Sequence, residues 1–276
     1  MPLFWYPDHS SGSKSKVLYE PSSMEIVLRM LEMADIGEND VVYDLGCGDG
    51  RIVIAAAKKA GSRGVGIDID PVRIWESLWN AVRAGVSDRV DFYVKDLYRC
   101  NLHDASVLML YLLPEVNLRL RFRILKEMKP GSRIVSHSHD MGDWEPDRTA
   151  VVRTHEIHCW IVPGNVSGIW EWSCPGCPYD HGEPIQLQLE QKFQKLRGFF
   201  LKPSENCILI DPEIQGEQIS FTLVQNLTAG MEWVHYEGFL LGHQIAGYEI
   251  KRDGDDTIEN SWSAKRDPPT MNEICD

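Results

Sequence analysis

The residues best placed to do chemistry stand at the ends of apolar runs. Asp44-Leu45-Gly46-Cys47-Gly48-Asp49-Gly50 follows Val41-Val42-Tyr43 and precedes Arg51-Ile52-Val53-Ile54-Ala55-Ala56-Ala57. That grammar is a buried strand feeding a glycine loop that opens a helix. Glycines at such a turn let the backbone approach a ligand closely, because no Cβ intervenes. Dinucleotide sites use G-x-G-x-x-G; the spacing here is G-x-G-x-G behind an acid. A second acid, Asp68, closes the run Gly64-Val65-Gly66-Ile67 and lies 18 residues beyond Gly50. A βαβ unit places an acid ~20 residues on, against a ribose, and a carboxylate can accept from both ribose hydroxyls. Val90-Asp91-Phe92-Tyr93-Val94 is a third run, closed by Lys95-Asp96-Leu97. Further on, His137-Ser138-His139-Asp140-Met141-Gly142-Asp143-Trp144 concentrates polar groups after the apolar run 132–136. Strand-end loops of this kind carry function more often than core positions do.

These groups need a scaffold, and the pattern predicts one. Ser22-Ser23-Met24-Glu25 offers a capping box, with Ser22 as N-cap and Glu25 three residues on. Ile26, Val27, Met30, Leu31 and Ala34 follow at helical period, and Gly37 stops the helix. Asp70-Pro71 starts another helix, which runs to Gly85 and carries Ile74, Leu78 and Val82 on one face. The continuous apolar run from Ser106 to Leu113 has the character of a buried parallel strand. Pro114 opens a helix that ends at Lys129-Pro130-Gly131, residues 132–136 make a fifth strand, and 151–162 offers two more. Seven strands with intervening helices predict a mostly parallel sheet with covered faces.

After Pro163-Gly164 the period changes from 3.6 to 2. Ile169 to Trp172, Ile185 to Leu189 and Ile219 to Leu223 alternate, and Pro203, Asp211-Pro212, Gly216-Glu217 and Gly242-His243 separate them. A glycine-aromatic step recurs at Gly198-Phe199, Gly238-Phe239 and Gly247-Tyr248. Such spacing predicts a small antiparallel β-barrel or sandwich, with Trp262 meeting Trp170 or Trp172 inside it. The expected organisation is a mobile arm over 1–16, an α/β domain over 17–163, a β-domain over 165–266 and a loose tail over 267–276. The β-domain is expected to take no part in the chemistry.

Composition excludes several classes. The chain has 276 residues, 43% hydrophobic and 25% charged, as soluble globular proteins do. No apolar run approaches the ~18 residues of a membrane helix, and Met1 to Pro7 lacks the basic region of a signal peptide. A cytoplasmic location is the default expectation. The formal net charge of −13 argues against nucleic acid, whose binding draws on Lys and Arg at phosphates. Arg119, Arg121, Arg123 and Lys126 at helical spacing make a solvated face. Seven scattered cysteines do not make a disulfide scaffold. Cys174-Pro175-Gly176-Cys177, His181 and Cys207 could supply four zinc ligands. No second C-x-x-C accompanies them, so a proline-glycine turn is the simpler reading and no metal is expected.

The ordered set Asp44-x-Gly46-x-Gly48-x-Gly50, Asp68 and Asp96-Leu97 resembles the motifs of class I S-adenosylmethionine (SAM) dependent methyltransferases, over residues 17–163. The resemblance implies a Rossmann-like seven-stranded sheet. It also implies that the loop Asp44, Gly46, Cys47, Gly48 and Gly50 wraps the methionine end of SAM, Asp68 holds the ribose, Asp96 accepts from the adenine amino group, and Leu97 packs on the ring. Tyr19-Glu20-Pro21-Ser22, with the motif from Asp44 to Ala57, is similar to the mitochondrial lysine methyltransferases that modify the ATP synthase c-ring protein and the adenine nucleotide translocase. This implies Tyr19 at the cofactor and a protein lysine as acceptor, with a small molecule, or a non-catalytic SAM-binding scaffold, as the alternative. Unlike those enzymes, this chain shows no membrane-targeting segment and has the β-rich second half.

Methyl transfer from a sulfonium is an in-line displacement, so the protein must hold the acceptor atom near the methyl and exclude water. An amine must be neutral to attack, and a hydroxyl needs a base. The candidates beyond the strand ends are Tyr111, in Tyr111-Leu112-Leu113-Pro114, and His137, His139 and Asp140. His137 and His139 could act as bases or orient an amine, and Asp140 could accept from it; an equally good reading is a loop that caps the core. The weakest reading is a metal on His139, Asp140 and a third ligand.

Overall fold

The structure is a computed structural model and describes residues 19–173, 184–202, 207–227, 230–253 and 256–274. The expected arm, and Cys174, Cys177 and His181 of the candidate zinc quartet, lie outside the described residues. Cys207 is half-buried on a strand with a free thiol.

The first half alternates helix and strand in the expected order. Helix α1 (Met24–Met33) precedes β1 (Val41–Leu45), α2 (Arg51–Ala60), β2 (Arg63–Asp68), α3 (Pro71–Ala84), β3 (Val90–Val94), β4 (Val107–Leu110), α4 (Pro114–Glu127), β5 (Arg133–His137), β6 (Arg148–Val152) and β7 (His155–Ile161). The sheet order is β3-β2-β1-β4-β5-β7-β6. Strands β1 to β5 pair parallel, while β7 runs antiparallel to both β5 and β6. This is the seven-stranded sheet of class I methyltransferases, with its crossing point between β1 and β4. One core lies between the sheet and α1, α2 and α3; a second lies between the sheet and α4.

One local expectation is corrected. The N-cap of α1 is Ser23, whose hydroxyl accepts from the Ile26 N–H. Ser22 is instead buried and turned toward the sheet, while Glu25 pairs with Arg153. Two adjacent serines offer the same cap chemistry, and tertiary contact assigns one to each task. Helix α3 starts at the Asp70 cap and ends at Gly85 as expected. Its buried residues are Ile74, Ser77 and Ala81; Leu78 and Val82 are exposed. Small side chains let α3 sit close to the glycine loop, where the Ser77 hydroxyl donates to the Gly48 carbonyl at 2.7 Å.

The second half is a closed eight-stranded antiparallel barrel. Its strands are β8 (Gly168–Trp172), β9 (Ile185–Lys192), β10 (Lys195–Lys202), β11 (Cys207–Gln215), β12 (Gln218–Leu227), β13 (Gly230–Leu241), β14 (Gln244–Asp253) and β15 (Asp256–Arg266). They run in the order β10-β11-β12-β13-β14-β15-β8-β9. Gly238 and Gly247 pair across β13 and β14, and a Cβ on Gly247 would strike the Glu237 carbonyl. Trp172, Phe221, Tyr236 and Trp262 fill the interior, with Trp172 and Trp262 rings 5.6 Å apart. Small barrels close only when side chains fill them, and these aromatics occupy the space that a hydrophobic ligand would need.

The barrel is tied to the α/β half. Phe193, at the β9–β10 turn, is buried in the α4-side core and stacks on Trp144 at 5.7 Å. Lys192 pairs with Asp143, Lys195 with Glu145, and Gln194 donates to the Glu145 carbonyl. The segment expected to be a loose tail is also held. Ile274 is buried and its carbonyl accepts from the Phe193 N–H, and the Asn272 carbonyl accepts from Asn165 and Ser167. Among the described residues no helix is long and apolar enough to cross a membrane.

Candidate active site

Register decides which groups meet. Leu45 lies beside Ile67 on one side and Leu110 on the other; Asp68 lies beside Val94, and Leu110 beside Ser136. The residues that leave the carboxyl ends therefore form a row: Asp96, Asp68, Gly46, Tyr111 and His137. Adjacent strands stand about 4.8 Å apart, so the row spans about 19 Å. It crosses the point where strand order reverses, the place where open α/β sheets bind ligands.

The glycine loop is built by backbone strain that only glycine relieves. Gly46, Gly48 and Gly50 have φ of 82°, 54° and 77°. A Cβ on Gly48 would collide with the Tyr19 ring. Both the Gly46 and Cys47 N–H groups donate to the Ile67 carbonyl, which pins the loop to the end of β2. Asp68 completes it: one carboxylate oxygen accepts from Gly48 N–H at 2.9 Å and the other from Asp70 N–H at 2.9 Å. Each oxygen keeps a second lone pair that can accept from a hydroxyl.

Asp44 is buried at the root of the loop, and no hydrogen bond reaches its carboxylate among the described residues. Burial, followed by the charges of Asp68 and Asp49, pushes its pKa up to about 8. An unpartnered buried acid is costly unless a cation joins it. SAM carries a sulfonium and an ammonium, and this carboxylate together with the glycine cradle fits it. Cys47 is buried, and its thiol is pushed far above the usual range by burial and then by Asp44 and Asp68, which excludes a thiolate nucleophile.

At the row's far end, Asp96 caps a short 3-10 turn, accepting from Tyr98 N–H at 2.9 Å. Leu97 packs on the α4-side core. Tyr19 lies over Gly48 with the Arg73 guanidinium 3.8 Å from its ring centroid. Arg51 holds both carboxylate oxygens of Asp49 and reaches the Ser22 carbonyl at 2.8 Å, so the segment 19–22 is strapped to the loop.

The acceptor side gathers three of the four expected residues. Tyr111 stacks on His137 with centroids 3.9 Å apart and on His139 at 6.3 Å. His137 has no free nitrogen: Nδ1 meets the Ser22 hydroxyl at 2.9 Å and Nε2 meets His155 Nδ1 at 3.0 Å. Burial, then His155 and His139, lowers its pKa to about 4. With both ring nitrogens engaged, it braces the strap against the sheet, in line with the reading of this loop as a cap on the core, and leaves no nitrogen free to act as a base. His139 is half-buried, with its carbonyl held by Asn117. Asp140 does not join the cluster; it is exposed and closes its own turn by accepting from Gly142 N–H at 3.0 Å. Among the described residues no three His, Cys, Asp or Glu converge as a metal site.

Several contributors were not read from the sequence. His155 reaches the site only because β7 returns antiparallel beside β5, which no local pattern encodes. Glu20, next to Tyr19, lies near Tyr111, whose pKa is raised first by burial and then by that carboxylate's charge. Asn80 holds the loop by donating to the Asp49 carbonyl at 3.0 Å.

Comparison with known proteins agrees with this geometry. The ANTKMT methyltransferase domain model matches residues 44–148. A protein-lysine N-methyltransferase of Saccharolobus islandicus is 37% identical over 151 residues, covering 53% of this chain and 94% of the relative. The adenine nucleotide translocase lysine N-methyltransferase of Mus musculus is 32% identical over 151 residues, 55% of this chain and 63% of its own length. A crystal structure described as an RNA methyltransferase from Salinibacter ruber, with S-adenosyl-L-homocysteine, is 47% identical, covers 53% of this chain and 96% of that one, and superposes with a TM-score of 0.53. The protein is a SAM-dependent methyltransferase; residues 44–148 match the ANTKMT methyltransferase domain, and the chain belongs to the family of the Saccharolobus islandicus relative.

Proposed function

We propose that the methyl acceptor is a lysine nitrogen of a protein. The observation that carries this is the mouth beside Gly46: Tyr111 and His139 stack there, and the Glu20 carboxylate lies near enough for its charge to act on Tyr111. An aromatic wall with an adjacent anion attracts an alkyl-ammonium and leaves its aliphatic stem dry. Two relatives named above as lysine methyltransferases support the same reading. The net charge of −13 stands against RNA as the acceptor.

In this reading Asp44 faces the cationic end of SAM, Asp68 accepts from the ribose, and Asp96 and Leu97 flank the adenine. The loop Gly46, Cys47, Gly48 and Gly50 lies along the methionine, with Tyr19 above it. When bound, SAM supplies the electrophilic methyl. Tyr111 and His139 align the amine, and Glu20 sits where the departing proton can leave toward solvent. No fixed base is needed once the amine is neutral.

Incubation of host lysate with methyl-labelled SAM tests the proposal. Label that survives nuclease, disappears with protease and maps to methyl-lysine is the expected result. Label lost to nuclease would assign an RNA acceptor, and label only in the low-mass fraction a small molecule. Tight SAM binding with no labelled product at all would leave a binding scaffold.

A further inference from the structure

Helix α3 turns a second face away from the core. Trp75 is 66% exposed, Trp79 55%, Val72 50% and Val82 61%. Among the described residues these side chains stay largely open, with Trp75 and Trp79 also bordering a cavity lined by Tyr19, Asp49 and Arg51. The two indole rings lie parallel, 1° apart in plane and 6.3 Å between centroids. Single exposed apolar residues are ordinary, but a contiguous stripe of this size marks an interaction surface.

The stripe has a symmetry that selects its occupant. Val72, Trp75, Trp79 and Val82 are spaced three, four and three residues apart. The order valine, tryptophan, tryptophan, valine reads the same in both directions about residue 77. Spacings of three and four place all four on one seam of a helix. A two-fold contact requires that residue i meets j while j meets i. An antiparallel pair of α3 helices satisfies this: Val72 meets the partner's Val82, and Trp75 meets the partner's Trp79. A different protein would have no need of that palindrome.

Area and charge agree. With aromatic side chains at 150–250 Å² each, the stripe with Leu78 and Ile69 offers roughly 600 Å² per copy. Two copies then bury about 1,200 Å², the lower edge of stable interfaces. Of the charged residues beside the seam, Arg73 and Glu76 already pair at 2.7 Å, and Arg83 stands in the last turn, at the edge of the contact. We propose that the protein self-associates through α3, antiparallel, as a two-fold dimer. Because α3 carries Arg73 above Tyr19 and Ser77 beneath Gly48, the contact would stiffen the wall of the cofactor loop.

Sedimentation velocity of the full chain, from about 1 to about 100 µM, brackets the micromolar affinity expected for this area. The expected result is a concentration-dependent dimer, with association weakened at least roughly tenfold by Trp79→Glu. Circular dichroism checks that the variant remains folded. Val72→Lys and Val82→Glu should each weaken the dimer, and together restore it, since the two positions face one another only in the antiparallel arrangement. A wild-type monomer throughout the range, a dimer indifferent to Trp79→Glu, or a double variant no better than either single one would overturn the proposal.

Discussion

Asp44 makes the clearest statement at the scale of one residue. Its folded pKa, about 8, lies well above that of an unfolded aspartate. A group raised in this way stabilises the folded chain fully below the unfolded pKa, and that contribution is lost as pH rises through the folded value. The ligand-free protein should therefore lose stability between about pH 4 and pH 8. A cationic ligand favours the ionised form, so SAM binding near pH 7 should release a proton and tighten toward pH 8. Calorimetry in buffers of different ionisation enthalpy would measure the release, which Asp44→Asn should abolish. Asp68→Ala should weaken SAM binding by tenfold or more, since it removes the Gly48 anchor as well as the ribose acceptor. Equal affinity would remove Asp68 from the ribose role. Both acids were legible in the sequence because strand, loop and helix signals lie next to each other. His155 was not, because its place depends on a pairing between strands.

At the scale of elements, the strap before α1 and the end of β5 depend on one another. His137 is hydrogen-bonded on both ring nitrogens, to Ser22 and to His155. Removing either partner leaves a buried ring nitrogen unsatisfied, which costs about 1–3 kcal/mol. His155→Ala should thus destabilise by that amount while leaving SAM affinity close to the parent. Its effect on turnover should appear mainly in kcat/KM, through a displaced Tyr111, and a stability change with unaltered kinetics would confine His155 to the fold. The helix boundaries here were readable from caps: Asp70-Pro71 and Gly85 bracket α3 as expected. The burial of its faces was not, because the hydrophobic period marks a face without saying what covers it. Ser77 and Ala81 face the core beside Ile74 because a close approach to the glycine loop needs small side chains there, and Trp75, Leu78 and Trp79 point outward.

For the whole molecule, the change of period after Pro163 foretold the barrel, but not its attachment. Phe193 crosses from the barrel into the α4-side core and stacks on Trp144, directly beyond the loop that carries His137 and His139. Nothing local in Lys192-Phe193-Gln194 distinguishes a docked tip from a free one, whereas burial does. The two halves should then behave as coupled units that retain separate cores. Phe193→Ala removes a buried aromatic and should cost about 3–5 kcal/mol, with the loss expressed as earlier melting of the α/β half. A chain ending at Pro163 loses the same contact, together with the Lys192 and Lys195 pairs. It should still fold and bind SAM with near-parent affinity, because every group in the row from Asp96 to His137 remains. It should melt earlier by a margin similar to that of Phe193→Ala. A folded truncated chain with no SAM binding would show that the barrel shapes the cofactor site, and the division of labour between sheet and barrel would have to be redrawn.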